Sequence, residues 1–143
     1  MEFLKVKPPI DHPTVTGIFQ AVSNDSSFNI IMTLNSSSNK HNSFTLKREL
    51  NLSTKQFYFA ISNLSNQGIV KRTNRDYMLT SFGKVIVNSV GLIEDAIKIY
   101  SKIIAIDVVQ ASQKVTKDEI HMLVDVLIDN ERLKEIVKLR YSL

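Results

Sequence analysis

The chain has no cysteine and no tryptophan, and only four glycines and three prolines. Without cysteine there is no disulfide framework, no thiolate nucleophile and no zinc site built on sulfur. No apolar run approaches the roughly 18 residues that would cross a bilayer, and the start MEFLKVKPP lacks the apolar core of a signal peptide. A cytoplasmic protein with no membrane partner is expected. The scarce glycines, Gly17, Gly68, Gly83 and Gly91, stand outside any phosphate-cradling loop pattern. No serine–histidine–acid constellation or carboxylate pair stands out, so neither enzyme chemistry nor a cofactor is expected. His12 and His41 fall in loop-like stretches. His121 has Asp118 three residues before it and Asp125 four after, on one helix face. One imidazole with hard oxygens is a poor transition-metal set, so no metal is assigned there.

What is present describes a folded chain of 143 residues and 16.2 kDa, 43% apolar and 22% charged. That is about one ordinary domain with an appendage. Eighteen Lys and Arg stand against fourteen Asp and Glu, for a net charge of +4. The surplus is not spread evenly. Residues 1–39 carry two basic and three acidic side chains, and residues 85–143 carry eight and nine, so each flank is −1. Between them Lys40, Lys47, Arg48, Lys55, Lys71, Arg72, Arg75 and Lys84 face only Glu49 and Asp76, which makes this segment +6. A basic patch on a near-neutral body is the electrostatic footprint of a polyanion binder.

Pattern along the chain predicts mostly helix. Residues 1–13, with Pro8, Pro9 and Pro13, read as an extended arm. Val15, Ile18, Phe19 and Val22 share a helical face, in a helix that Gly17 weakens and whose packing partner must therefore come close. A second helix is expected near 26–35, then a polar loop over 35–43. A short helix over 45–50 turns Leu46 and Leu50 inward. Ser53 followed by Gln56 is a capping box, in which serine oxygen and glutamine carboxamide satisfy each other's backbone amides. The helix it opens places Phe57, Ala60, Ile61 and Leu64 on one face and ends at Gly68. Two short strands follow around Asn74-Arg75-Asp76, and Thr80 or Ser81 caps the next helix.

From Phe82 to Val109 the apolar pattern is helical throughout. Ile86, Val90, Ile93, Ile97, Tyr100 and Ile104 repeat at alternating four and three, a heptad seam suited to pairing with a second copy. Two more helices are expected, over 117–128 and from a cap at Asp129-Asn130 onward. The expected architecture is mainly α with a small hairpin wing. An arm (1–13) precedes a winged helix-turn-helix domain (14–81) and a helical dimerisation region (82–143).

In such an arrangement the helix of about 53–67 enters the DNA major groove. Ser53, Thr54, Lys55, Gln56, Tyr58, Ser62 and Asn63 then face base edges and phosphates. Lys71, Arg72 and Arg75 stand on the hairpin of about 69–80, within reach of phosphate or the minor groove. Lys47, Arg48 and Lys84 hold the backbone. The sparse charge within the central helix and the Tyr58-Phe59 pair support a second reading, in which this module docks on a component of the transcription machinery without reading sequence. RNA would engage the same cations.

The order of elements resembles winged-helix proteins of the ArsR/MarR type. It is most similar to a group of winged-helix predicted transcriptional regulators from ammonia-oxidising archaea. The similar stretches are TGIFQAVSND (16–25), LSTKQFYFAISNLSNQGIVKR (52–72), YMLTSFGKV (77–85), EDAIKIYSKIIAID (94–107) and LIDNERLKEIV (127–137). The group's T-x-K-Q-Y-Y, G-L-V-K-R and Y-x-L-T-S-F-G patterns correspond to TKQFYF, GIVKR and YMLTSFG in this chain. The resemblance implies a transcriptional regulator, with Lys55, Gln56, Tyr58, Lys71 and Arg72 facing the duplex. This chain departs from the group after Phe59, where Ala60 and Ile61 replace a frequent basic residue. Lys55 is then the one cation between Ser53 and Gln67.

Overall fold

Two compact units divide the chain after Val87 in a computed structural model, which describes residues 12–36 and 40–142. Most of the expected arm, residues 1–11, and positions 37–39 of the polar loop lie outside the described residues. The molecule is mainly helical (71%), with eight helices and one three-stranded antiparallel sheet among the described residues. No helix among them is long and apolar enough to cross a membrane.

The first unit runs through α1 (Val15–Val22), α2 (Asp25–Ser36), β1 (His41–Asn42), α3 (Ser43–Glu49), α4 (Thr54–Asn66), β2 (Val70–Thr73), β3 (Asp76–Leu79) and the start of α5 (Ser81–Lys98). Its core joins Ile30, Ile31 and Leu34 of α2 to Leu46, to Phe57, Ala60, Ile61 and Leu64 of α4, and to Ile69, Val70, Tyr77 and Leu79 around the hairpin. Fully burying a side chain such as Phe57 or Ile30 contributes about 1.5–3 kcal/mol, so this shared core is what holds the short elements in place.

Two expectations for this unit are corrected. The first helix does not bury the face of Val15 and Phe19, which are 69% and 61% exposed; Ala21 goes inward, with Ile18 and Val22 beside it. The 35–43 stretch is not all loop. Residues 41–42 form a third strand, so the sheet order is β1-β3-β2, with His41 opposite Tyr77 and Val70 opposite Leu79. The tight approach required at Gly17 is present. A methyl group on Gly17 would lie 2.5–2.7 Å from the Gln67 carboxamide.

One hydroxyl ties the hairpin to α5. Thr80 Oγ1 donates to the Gly68 carbonyl at 2.6 Å and accepts the Gly83 amide at 2.8 Å, linking the end of α4 to the start of α5. Gly83 lies so close beneath the hairpin that an added Cβ would collide with the Ile69 carbonyl oxygen. Gly83→Ala is therefore expected to destabilise the chain by about 1–3 kcal/mol through overpacking. Its gain of about 1 kcal/mol in helix propensity is the smaller effect. A denaturant midpoint equal to or above wild type would contradict this packing.

The second unit contains the end of α5 with α6 (Tyr100–Ala111), α7 (Lys117–Leu127) and α8 (Glu131–Arg140). Ile106, Ile120, Val124, Ile128, Leu133 and Tyr141 form its core. Thr116 and Asn130 cap α7 and α8 by accepting the amides of Glu119 and Leu133. Tyr141 donates to Asp107, and burial, then this bond, raises its phenol above the ordinary value. Lys138 Nζ lies 2.6 Å from Asp125 Oδ1, a hydrogen bond that holds the Asp125 carboxyl below the usual range.

The single helix expected from Phe82 to Val109 is corrected to two. It breaks at Ile99, whose φ of −113° and ψ of 22° leave the helical region. Val87 belongs to the first unit's core and Ile86 packs against it, and the two compact units divide after Val87. The heptad seam is thus neither continuous nor entirely free: Ile86 packs inward and Val90 is half-buried. Ile93, Ile97, Tyr100 and Ile104 are exposed.

Candidate nucleic-acid interface

The geometry of the basic segment is set by two helix ends of the same design. Helix α3 closes on Asn51 at φ 53°, where the Leu52 amide donates to the Lys47 carbonyl and the Asn51 amide to that of Arg48. Helix α4 closes on Gly68 at φ 74°, with Ile69 donating to Leu64 and Gly68 to Ser65. Both are Schellman motifs, which reverse the chain within two residues. Between them the capping box forms as the sequence predicts. Ser53 Oγ accepts the Gln56 amide at 3.1 Å and Gln56 Oε1 accepts the Ser53 amide at 2.9 Å. Ser53→Ala removes one of these bonds and is expected to cost about 1 kcal/mol, read as a lowered denaturant midpoint. An unchanged midpoint would mean that the box adds nothing.

Burial of Phe57, Ala60, Ile61 and Leu64 leaves Thr54, Lys55, Gln56, Tyr58, Phe59 and Ser62 of α4 exposed. Gln56 is committed through Oε1, so only its Nε2 remains to donate; bidentate contact with adenine needs both atoms. Thr54 Oγ1 accepts from Lys47 Nζ at 3.5 Å, and the same ammonium lies 5.8 Å from the centre of the Tyr58 ring. Lys47, Thr54 and Tyr58 therefore form one patch joining α3 to α4, with Arg48 and Lys55 exposed. Asn63 is half-buried and lines a cleft with Gly17, Gln20, Phe59 and Gln67, so its surroundings differ from those of Lys55.

Strand alternation separates the hairpin cations. Arg72 pairs with Tyr77 and its guanidinium lies 5.7 Å from that ring's centre; Tyr77 in turn meets Phe57 edge-on at 5.6 Å. Lys71 pairs with Met78 and points to the other face. Arg75 occupies the turn beside Asn74, whose φ of 59° is the left-handed conformation that asparagine tolerates. Lys84 on α5 donates from Nζ to Asn35 Oδ1 at 3.2 Å.

Ion pairing divides the chain sharply. Among the described residues, five Lys or Arg side chains pair with carboxylates within 4.0 Å, namely Lys98, Arg132, Lys134, Lys138 and Arg140, and all five lie beyond residue 87. None of the eight cations of residues 40–84 has such a partner among the described residues. In that segment the recorded pair is His41 Nδ1 with Glu49 Oε2 at 3.6 Å. The sequence pattern puts His41 in a loop, whereas it is 6% exposed in β1 with neither ring nitrogen hydrogen-bonded among the described residues. Alternation around Tyr77 could have exposed it only if the pairing of β1 with β3 were known. No group of three His, Cys, Asp or Glu suited to a metal occurs among the described residues, and the Asp125 carboxylate beside His121 is taken by Lys138. No family model, curated protein or solved structure matches the chain.

Proposed function

We propose that the first unit is a winged helix-turn-helix module that binds duplex DNA, with α3 and α4 as the helix-turn-helix and the β2–β3 hairpin as the wing, and that the protein regulates transcription as a homodimer. The observation that carries this reading is the set of eight cations of residues 40–84 without carboxylate partners among the described residues. Cations left unpaired repel one another, and a polyphosphate relieves that repulsion while releasing its own counterions. Helix α4 presents Lys55 and Thr54 at its N-terminal end, where recognition helices meet base edges and phosphates. Its single cation supplies little discrimination, so affinity comes chiefly from Lys47, Arg48, Lys71, Arg72, Arg75 and Lys84.

A weakly discriminating module gains from a second copy held at fixed spacing. Ile93 and Ile97 of α5 and Tyr100 and Ile104 of α6 are 40–67% exposed, and these apolar side chains are the ones we assign to the second copy. A dimer through these helices reads a roughly palindromic site with half-sites about one helical turn apart. Selection from a random duplex pool is expected to enrich paired half-sites, and a pool without enrichment contradicts a sequence-reading role. Light scattering at tens of micromolar is expected to give twice the 16.2 kDa chain mass; a monomer removes the palindrome argument and leaves DNA binding to be judged alone.

A second reading has its own support. Phe44 and Phe59 are each 65% exposed on the first unit, as suits a module that docks on a protein of the transcription machinery. On that reading, partner capture survives loss of the cations.

A further inference from the structure

Beside β1 and β3 lies a cleft of about 460 Å³, walled in part by Lys40, Lys84, Thr73, Asn74 and Asp76. Lys40 has no place in the helix-turn-helix or the wing, yet it comes to the same cleft as Lys84, 44 positions further along the chain. Neither ammonium has a carboxylate within 4.0 Å among the described residues, and Asn35 holds that of Lys84 in position. The cleft's one acid is Asp76, fixed by strand pairing opposite Asn42 and Thr73. Two ammonium groups, an asparagine carboxamide and the Thr73 hydroxyl, which must give up its weak bond to the Met78 sulfur at 3.7 Å, make a donor set suited to the oxygens of a tetrahedral anion. With two like charges facing one carboxylate, a single anionic group brings the cleft close to neutrality.

We propose that this cleft seats one phosphate group, gripped by Lys40 and Lys84. Its volume exceeds that of a bare phosphate and admits the sugar attached to one. The phosphate therefore comes either from the backbone of a duplex passing the hairpin, which rests on the DNA reading, or from a small phosphorylated molecule, which does not. Asp76 opposes the bound anion and keeps its affinity modest.

Two measurements on the full chain separate the sources. In the first, inorganic phosphate is titrated while amide and lysine resonances are followed by NMR. The expected shifts cluster at Lys40, Thr73, Asn74 and Lys84, are lost in the Lys40→Gln/Lys84→Gln double variant, and strengthen in Asp76→Asn. In the second, duplex binding by Lys40→Gln is measured across salt concentrations. A duplex phosphate in the cleft predicts a log–log salt slope shallower by about 0.9 per protomer and several-fold weaker binding. Phosphate shifts with an unchanged duplex slope assign the cleft to a small phosphorylated molecule; a changed slope assigns it to the DNA backbone. Phosphate shifts in a chain that binds no duplex uphold the cleft and reject the DNA reading. No localised shifts, together with a Lys40→Gln slope equal to wild type, overturn the proposal.

Discussion

Replacing Lys55, Lys71, Arg72 and Arg75 together with alanine is expected to weaken duplex binding on the order of 100-fold or more while leaving the fold intact. All four side chains are exposed and none has a carboxylate partner among the described residues, so their removal disturbs little packing beyond the Arg72–Tyr77 contact. Exposed substitutions of this kind change stability by about 0.5 kcal/mol or less each. Their effect on binding is of a different order. Each phosphate contact contributes about 0.9 to the log–log salt slope, so losing the contacts of these four side chains makes the slope markedly shallower, leaves what Lys47, Arg48 and Lys84 supply, and lowers affinity on the order of 100-fold or more. Anisotropy titration of the variant, beside a thermal melt, reads both. The same variant separates the two functional readings. Docking on a protein through Phe44 and Phe59 predicts intact partner capture, whereas DNA binding predicts collapse. Binding within a few-fold of wild type would show that the unpaired cations do not make the interface.

Phe57→Ala is expected to be the most damaging single truncation in the first unit. The ring is fully buried and meets Tyr58 edge-on at 5.1 Å and Tyr77 at 5.6 Å. Its removal takes away one wall shared by α4 and the hairpin at once. Phe→Ala changes in cores cost about 3–5 kcal/mol, a large share of the roughly 5–15 kcal/mol that typical domains possess. Beyond stability, Tyr77 loses the neighbour that holds the ring beneath Arg72 in place, so the register between hairpin and α4 loosens. Denaturant unfolding followed by near-UV circular dichroism at the tyrosines is the readout. A loss under about 1 kcal/mol would mean that α4 and the hairpin are held together elsewhere.

What the sequence made legible follows from how local each cause is. The capping box at Ser53 and Gln56, the glycine that ends α4 and the inward face of Phe57, Ala60, Ile61 and Leu64 are settled within a few residues, and all are present. The hairpin around Asn74 is equally local. Features decided at a distance were not legible. Strand β1 is two residues long and exists because His41 and Asn42 pair with Tyr77 and Asp76, more than thirty positions away in the sequence. The face of α1 is chosen by what packs against it, and Ala21 goes inward although Val15 and Phe19 are larger. The break at Ile99 has no glycine or proline to announce it and no side-chain cap to mark α6; apolar spacing runs straight through while the backbone does not. The candidate site divides in the same way. Lys55, Lys71, Arg72 and Arg75 lie exposed where strand and helix periodicity put them. Gln56 is tied to its own cap, Asn63 is turned into a cleft, and Lys40 reaches a cleft with Lys84 that only the folded chain brings together.

The net charge of +4 is too small to imply a partner for the whole chain. Its concentration over residues 40–84, in cations with no carboxylate partner among the described residues, is what makes a polyanion the expected ligand, and that origin has a direct signature. Fluorescence-anisotropy titration of the wild-type chain with a duplex, repeated at several salt concentrations, measures how many counterions are released. Neutralising about six to eight phosphates per dimer predicts a log–log slope of about −5 to −7. A flat salt response, or no binding at low salt, would contradict the account.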